Sequence, residues 1–301
     1  MAAKLIRNGQ VSLQSFFLGL GIVSYFLFAC GNLVPGTVSA GLQWLIDYPW
    51  SYCAVFFILI NVIVIVAFHG AEWQVAVRGC FLGCVCGIGI IISFLSPVSF
   101  QIFGWYLVVL TFFHYSEYLT TAIGNPRTLS LDSYLLNHSI SYGLAAVTSW
   151  IEFFLEWWLL PEMKTQWILS ILGIIVCLWG EIVRKSAMLT AKTNFNHIVQ
   201  TKREEGHELV TWGAYSLFRH PSYVGWFWWS IGTQLILINP FCTLAYTVAA
   251  WTFFYERIYF EEMTLIKFFG EKYLDYQKKV GTGLPFIKGY QYTPVCIRGE
   301  H

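Results

Sequence analysis

Eight stretches of this sequence each hold close to the ~20 consecutive apolar residues that an α-helix needs to cross ~30 Å of hydrocarbon. Their approximate limits are 12–30, 50–68, 79–95, 100–123, 134–159, 166–183, 222–238 and 241–257. Turn or polar signals separate them at Pro35-Gly36, Ser96-Pro97, Asn125-Pro126 and Asn239-Pro240. Water cannot be the main solvent of such a chain. Its residues are 56% hydrophobic and 12% charged, where a soluble domain carries ~25% charge. The apolar surplus runs over most of the length, which argues against a soluble domain with one anchor. The expected class is all-α: a polytopic integral membrane protein of about eight transmembrane helices.

Charge placement orients these spans. With the N-terminus in the cytosol, Lys4, Arg7, Arg78, Arg127, the run from Arg184 to Arg203 and every later Lys and Arg fall on one side. Only Lys164 falls opposite, a ratio of 17 basic residues to one. Basic residues concentrate on the cytosolic side of a correct topology, and an odd number of spans would scramble the pattern. Both termini are therefore expected in the cytosol. The block from Val11 reads as a retained first span, because Cys30-Gly31-Asn32 is a poor cleavage site and further spans follow.

Several function classes drop out. A net charge of +1 gives no basis for nucleic-acid binding. The eight cysteines, at 30, 53, 80, 84, 86, 177, 242 and 296, lie mostly in apolar blocks without the spacing of a zinc site or a disulfide framework. No metal is expected. Cys296 has five residues after it and is not a prenylation box. His114, Glu117, Glu152, Glu156 and Glu181 lie in or near spans, where ionisable groups suggest function. A transporter reading would build on them, but they form no relay and the spans lack paired broken helices.

Polar groups are sparse over 1–183 and dense over 184–222 and 256–301. This divides the chain into N-terminal helices (1–165, spans 1–5) and a catalytic core (166–301, spans 6–8 with their cytosolic segments). Because Asn239-Pro240 makes a tight turn, the last two spans form a hairpin that brings the two dense stretches together at the cytosolic face. The first stretch runs from His207 to Gly225. Its Gly213 permits a turn, and Pro221 sits where a span begins and favours the first turn of a helix. The second runs from Glu256 to Glu262, with Arg257 and Glu261 four apart on one helix face. An ordinary ion pair at a helix end is the plain alternative there.

The segments HELVTWGAYSLFRHPSYVGWFWWSIGTQLILINP and FFYERIYFEEMTLIKFFGEKYLDYQKKVGTGLPFI together resemble the C-terminal core of the isoprenylcysteine carboxyl methyltransferase family, and the eight-span layout resembles its animal members. The shorter pattern of Arg-His-Pro and a later Glu-Glu is shared with phospholipid methyltransferases and sterol reductases. A methyltransferase for another lipid-like acceptor, or a reductase using NADPH, therefore stays open. The resemblance implies an endoplasmic reticulum enzyme that methylates the carboxylate of a C-terminal farnesyl- or geranylgeranyl-cysteine. Its partners would be processed CaaX proteins such as small GTPases, met in the membrane lipid. It implies S-adenosylmethionine surrounded by Gln200, His207, Glu208, Leu209, Val210, Tyr215, His220, Pro221, Ser222, Tyr223 and Glu261, with Arg257 meeting the substrate carboxylate. Without the resemblance, Gln200 reads as a solvated loop residue and His207 as a surface or capping histidine.

Chemistry agrees with those assignments. A sulfonium cation suits Glu261, Tyr215 and Tyr223, and an adenosine suits His207, His220 and the backbone of Leu209 and Val210. A carboxylate nucleophile with a reference pKa of ~3.5 is already ionised at neutral pH and needs no general base. The fork of Arg257 can orient it through two hydrogen bonds. Arg219 is expected to brace Glu261 or Glu262. Trp226 and Trp228, within Trp226-Phe227-Trp228-Trp229, suit either a slot for the isoprenoid or an interfacial aromatic belt.

Overall fold

The apolar blocks fold as helices in a computed structural model that describes residues 5–26, 40–136 and 139–291. In chain order these are α1 (Arg7–Leu20), α2 (Ala40–Asp47), α3 (Pro49–Ala67), α4 (Gly70–Leu95) and α5 (Val98–Gly124). There follow α6 (Ile140–Leu159), α7 (Trp167–Ala191), α8 (Pro221–Leu237), α9 (Pro240–Phe269) and α10 (Glu271–Lys279). No strand occurs among the described residues. Among the described residues, four helical segments, α3, α4, α5 and α7 with its continuation to Asn194, are long and apolar enough to cross a membrane. Large apolar side chains point outward along them and their neighbours, among them Val66, Ile140, Trp158 and Leu244.

Proline sets several boundaries. It disfavours helix at the residue before it and is tolerated at the first helical position, where its missing N–H costs no bond. Thus α4 stops before Pro97, α5 before Pro126, and α3, α8 and α9 each begin on a proline. The helices differ from the expected blocks at several limits: the first starts at Arg7 rather than 12, and the third at Gly70 rather than 79. The fifth begins at Ile140, because Leu131–Tyr134 is a 3₁₀ turn whose buried Tyr134 stacks on Tyr118 at 4.0 Å. Helices α7 and α9 run on to Ala191 and Phe269, past the apolar limits at 183 and 257. Lys4, Cys30, the Pro35-Gly36 turn, the end of the first block and Cys296 lie outside the described residues.

Backbones meet directly where small residues face each other. A Cβ on Gly180 would lie 2.5 Å from the Gly225 carbonyl oxygen, and one on Gly225 would lie 2.4 Å from that of Gly180. Helix association in lipid has little hydrophobic driving force and relies on such close packing. This contact fixes α7 against α8 and sets Arg184 beside Ser222.

The α8–α9 turn is tied to α6 by charge. Glu152 accepts hydrogen bonds from the Phe241 and Cys242 N–H groups at 2.8 and 2.7 Å. Lys164 is fully buried and donates to Glu156 at 2.6 Å and to the Leu237 and Ile238 carbonyls at 2.9 and 3.0 Å. A carboxylate at a helix N-terminus and a cation at a C-terminus each complement the helix dipole. The one basic residue on the far side of the charge pattern is thus a helix cap, and Glu152 and Glu156 belong to the same tie.

Candidate active site

Two turns aim the polar stretches at each other. Gly213 has φ +60°, and a Cβ there would lie 2.9 Å from the Thr190 side chain. It starts the 3₁₀ turn Gly213–Ser216 that leads into α8. Gly270, with φ +55°, breaks α9 from α10 and folds α10 back over the site. Between them opens a cleft of about 850 Å³ including its mouth, walled by residues of 191–223 and 261–276. Gln200, His207, Glu208, Leu209, Val210, Tyr215, His220, Pro221, Ser222, Tyr223 and Glu261 all line it.

The loop wall is held from both sides. The Glu208 N–H donates to Asn194 Oδ1 at 2.9 Å, and Arg203 donates to the Phe268 carbonyl at 3.0 Å. The His207 ring lies edge-on to Phe268 and Phe269, at 5.8 and 5.4 Å. Burial, with the Arg203 charge second, pushes the His207 pKa below its ordinary value. At neutral pH His207 is therefore an uncharged ring with one donor and one acceptor. Burial, helped by the Glu261 charge, likewise raises the pKa of the Tyr215 phenol, which stays protonated.

Adjacent carboxylates on α9 have opposite environments. The Glu262 side chain is 0% exposed and accepts from Arg219 Nε at 2.8 Å, Tyr273 Oη at 3.1 Å, Gln277 Nε2 at 2.9 Å and the Tyr290 N–H at 2.8 Å. His220 Nε2 lies 3.1 Å from the same group and, facing a carboxylate, is its donor side. Burial alone would raise the Glu262 pKa, but the bond from His220 and the charge of Arg219 hold it below the usual range. Arg219 also donates to the Gln277, Val280 and Lys288 carbonyls, so it is a brace. Glu261, by contrast, is 26% exposed and faces the cleft, where the Tyr223 hydroxyl donates to it.

Behind Tyr223 lies a second, narrower space, about 330 Å³ including its mouth, lined by Arg184, His197, Trp226, Phe253 and Arg257. Phe195, Asn196, Ser222 and Tyr223 line both spaces, so they form the partition. Arg257 Nε donates to the Tyr223 hydroxyl at 2.8 Å, and its Nη2 donates to the His197 carbonyl at 2.5 Å. Trp226 carries Arg184 over its ring at 4.6 Å. Trp228 lines neither space and packs edge-on against Trp179. No cluster suited to a metal ion occurs among the described residues.

A family model for isoprenylcysteine carboxyl methyltransferases matches residues 172–267, a span that includes every group so far placed on the partition. Over 293 residues the chain is 50% identical to the protein-S-isoprenylcysteine O-methyltransferase of Xenopus laevis, covering 97% of this chain and 99% of that one. The chain belongs to the isoprenylcysteine carboxyl methyltransferase family. The human protein-S-isoprenylcysteine O-methyltransferase is 48% identical over 282 residues, 94% of each chain. Among solved structures, that of a eukaryotic intramembrane Ras methyltransferase of this family superposes with a TM-score of 0.84. It shares 46% identity over 95% of this chain and 99% of that one. This methyltransferase is thus a membrane-embedded, helical member of its family.

Sequence reasoning missed part of the site. Asn194, Leu265, Phe268 and Phe269 wall the first cleft, and Arg184 and His197 wall the second. The signal for Arg184 was Glu117, an acid within a span that needs a partner.

Proposed function

We propose that this methyltransferase transfers a methyl group from S-adenosylmethionine to the α-carboxylate of a C-terminal S-prenylated cysteine on processed CaaX proteins such as small GTPases, giving a methyl ester. The observation that carries the proposal is the pair of spaces either side of Tyr223, one bearing the Glu261 carboxylate and the other the Arg257 guanidinium.

The first cleft fits S-adenosylmethionine. Its wall combines the carboxylates of Glu208 and Glu261, the phenols of Tyr215 and Tyr223 and a neutral His207. Glu261, Tyr215 and Tyr223 would lie along the cationic part, and His207, Glu208, Leu209, Val210 and Gln200 would hold the adenosine. His220, Pro221 and Ser222 complete the wall at the start of α8. When bound, S-adenosylmethionine supplies an electrophilic methyl group. The acceptor carboxylate is ionised at neutral pH, so no residue need remove a proton. Arg257 orients it and balances its charge as water is excluded. Trp226 offers an apolar face to the prenyl chain.

The supporting division of labour has residues 1–165 as spans 1–5 and residues 166–301 as the catalytic core. The eight-span reading puts both termini and the site on the cytosolic face of the endoplasmic reticulum membrane, where a prenyl tail partitions into lipid beside the enzyme. Protease protection in sealed microsomes tests that orientation: a C-terminal tag shielded from external protease would contradict it. Transfer of labelled methyl from S-adenosylmethionine to N-acetyl-S-farnesylcysteine, with unprenylated N-acetylcysteine as control, tests the reaction. Labelling of the prenylated compound alone is expected, and labelling of neither overturns the proposal.

A further inference from the structure

Helix α5 holds a carboxylate that lines neither cavity yet holds the wall of one of them. Glu117 is 0% exposed and accepts from Arg184 Nε and Nη2 at 2.6 and 2.8 Å, from Lys185, and from His197 Nε2 at 3.0 Å. Arg184 passes the constraint on, because its Nη1 donates to the Ser222 carbonyl on the partition at 3.2 Å. His197 passes it to Arg257, whose Nη2 donates to the His197 carbonyl. The chain of contact runs from Glu117 to the His197 ring, along one residue to its carbonyl, and on to the guanidinium. A second line runs from Glu117 through Arg184 to the Ser222 carbonyl.

The other anchor of Arg257 is the Tyr223 hydroxyl, which also serves Glu261. One bond to a flexible side chain leaves a guanidinium free to swing about it, whereas two bonds from different edges fix its plane. The His197 carbonyl is therefore what sets the direction of the fork. That carbonyl belongs to the irregular segment after α7, where no helix ladder holds it. The Asn125 amide holds the segment upstream, at the Phe195 carbonyl, and the His197 ring on Glu117 holds it at His197 itself.

We propose that Glu117 is a positioning residue for methyl transfer, acting through His197 to aim Arg257 into the second cavity. The proposal rests on the reading of Arg257 as the group that orients the acceptor carboxylate. It gives the N-terminal helices a part in the chemistry, since α5 lies outside the segment that carries both polar stretches.

Glu117→Gln leaves the buried Arg184 cation without its carboxylate, so its inactivity would not separate misfolding from misaiming. The test uses His197 instead, comparing wild type, His197→Leu, His197→Gln and Arg257→Lys with N-acetyl-S-farnesylcysteine. Glutamine carries its amide nitrogen about where the Nε2 of histidine lies and can donate to Glu117, whereas leucine cannot. Displacing a catalytic group by ~1 Å costs up to ~100-fold, so His197→Leu is expected to lower kcat roughly 10- to 100-fold. S-adenosylmethionine affinity should stay within about twofold and thermal stability near wild type. His197→Gln should recover most of the lost turnover. A wild-type kcat in His197→Leu, or equal losses in the leucine and glutamine variants, overturns the positioning role. A wild type that fails to methylate the acceptor, or an Arg257→Lys variant of normal turnover, would instead refute the functional reading beneath it.

Discussion

Arg257 Nε donates to the Tyr223 hydroxyl across 2.8 Å, so the guanidinium facing one cavity is tied to the ring that walls the other. The same hydroxyl donates to Glu261, one helical turn beyond Arg257 on α9. Three side chains from two helices of one hairpin thus bridge the two spaces. Tyr223 is in turn clamped between the His220 ring, stacked at 5.5 Å, and Phe254 at 5.1 Å.

Tyr223→Phe keeps this stack and removes only the bridge. A typical buried hydrogen bond contributes ~1 kcal/mol, so the melting temperature should fall slightly. Turnover should fall about tenfold, because Arg257 loses one of its two anchors. Stopped-time assays at saturating acceptor measure this, and an unchanged kcat would make the bridge incidental.

Exchanging the two adjacent glutamates separates binding from stability. Glu261→Gln should weaken S-adenosylmethionine binding, measured by calorimetry, with little change in melting. Glu262→Gln removes a buried charge that pairs with Arg219, a change that typically costs ~3–5 kcal/mol. It should melt far below wild type or fail to fold. Equal melting of the two variants would contradict the assignment.

The cleft-facing place of Glu261 was legible from its spacing, four residues after Arg257, whereas the burial of Glu262 against Arg219 was not, because Arg219 could have braced either glutamate. The polar stretches themselves were legible because each is continuous and the Asn239-Pro240 turn forces them together. The Glu117–Arg184 pair, 67 residues apart, was not. It depends on how α5 packs on α7, which apolar periodicity does not specify. Trp226 and Trp228 lie two apart on a helix, so facing the second cavity with one turns the other away. The ends of α7 and α9 were missed because hydropathy records where lipid stops, not where the helix does.

Acid should destabilise the fold through Glu262. Its folded pKa lies below the ordinary 4.5, so the unfolded chain binds the proton more readily. The stabilisation is complete above about pH 4.5 and is lost as pH falls through the lower folded value. The depressed pKa of His207 adds a loss starting nearer its ordinary 6.5. Thermal melts in detergent from pH 7.5 to about 3 should show both, and His207→Gln should remove only the earlier one.

Gly225→Ala introduces a methyl group 2.4 Å from the Gly180 carbonyl oxygen. Overpacking of this kind costs ~1–3 kcal/mol, and the strain falls where Arg184 meets Ser222. The variant should melt lower and turn over more slowly, whereas Gly143→Ala, with nothing within 4 Å, should do neither.

Arg257→Lys tests the central claim most directly. Lysine keeps the charge but loses the planar fork, so it cannot fix the rotation of a carboxylate. Losing an orienting contact of this kind costs ~2–4 kcal/mol, roughly a 30- to 1,000-fold fall in rate. Steady-state kinetics on N-acetyl-S-farnesylcysteine should therefore show kcat/KM reduced by that factor, with S-adenosylmethionine affinity and melting temperature close to wild type. Near-normal turnover in the lysine variant would contradict the account, leaving Arg257 a structural tie to Tyr223 and the His197 carbonyl.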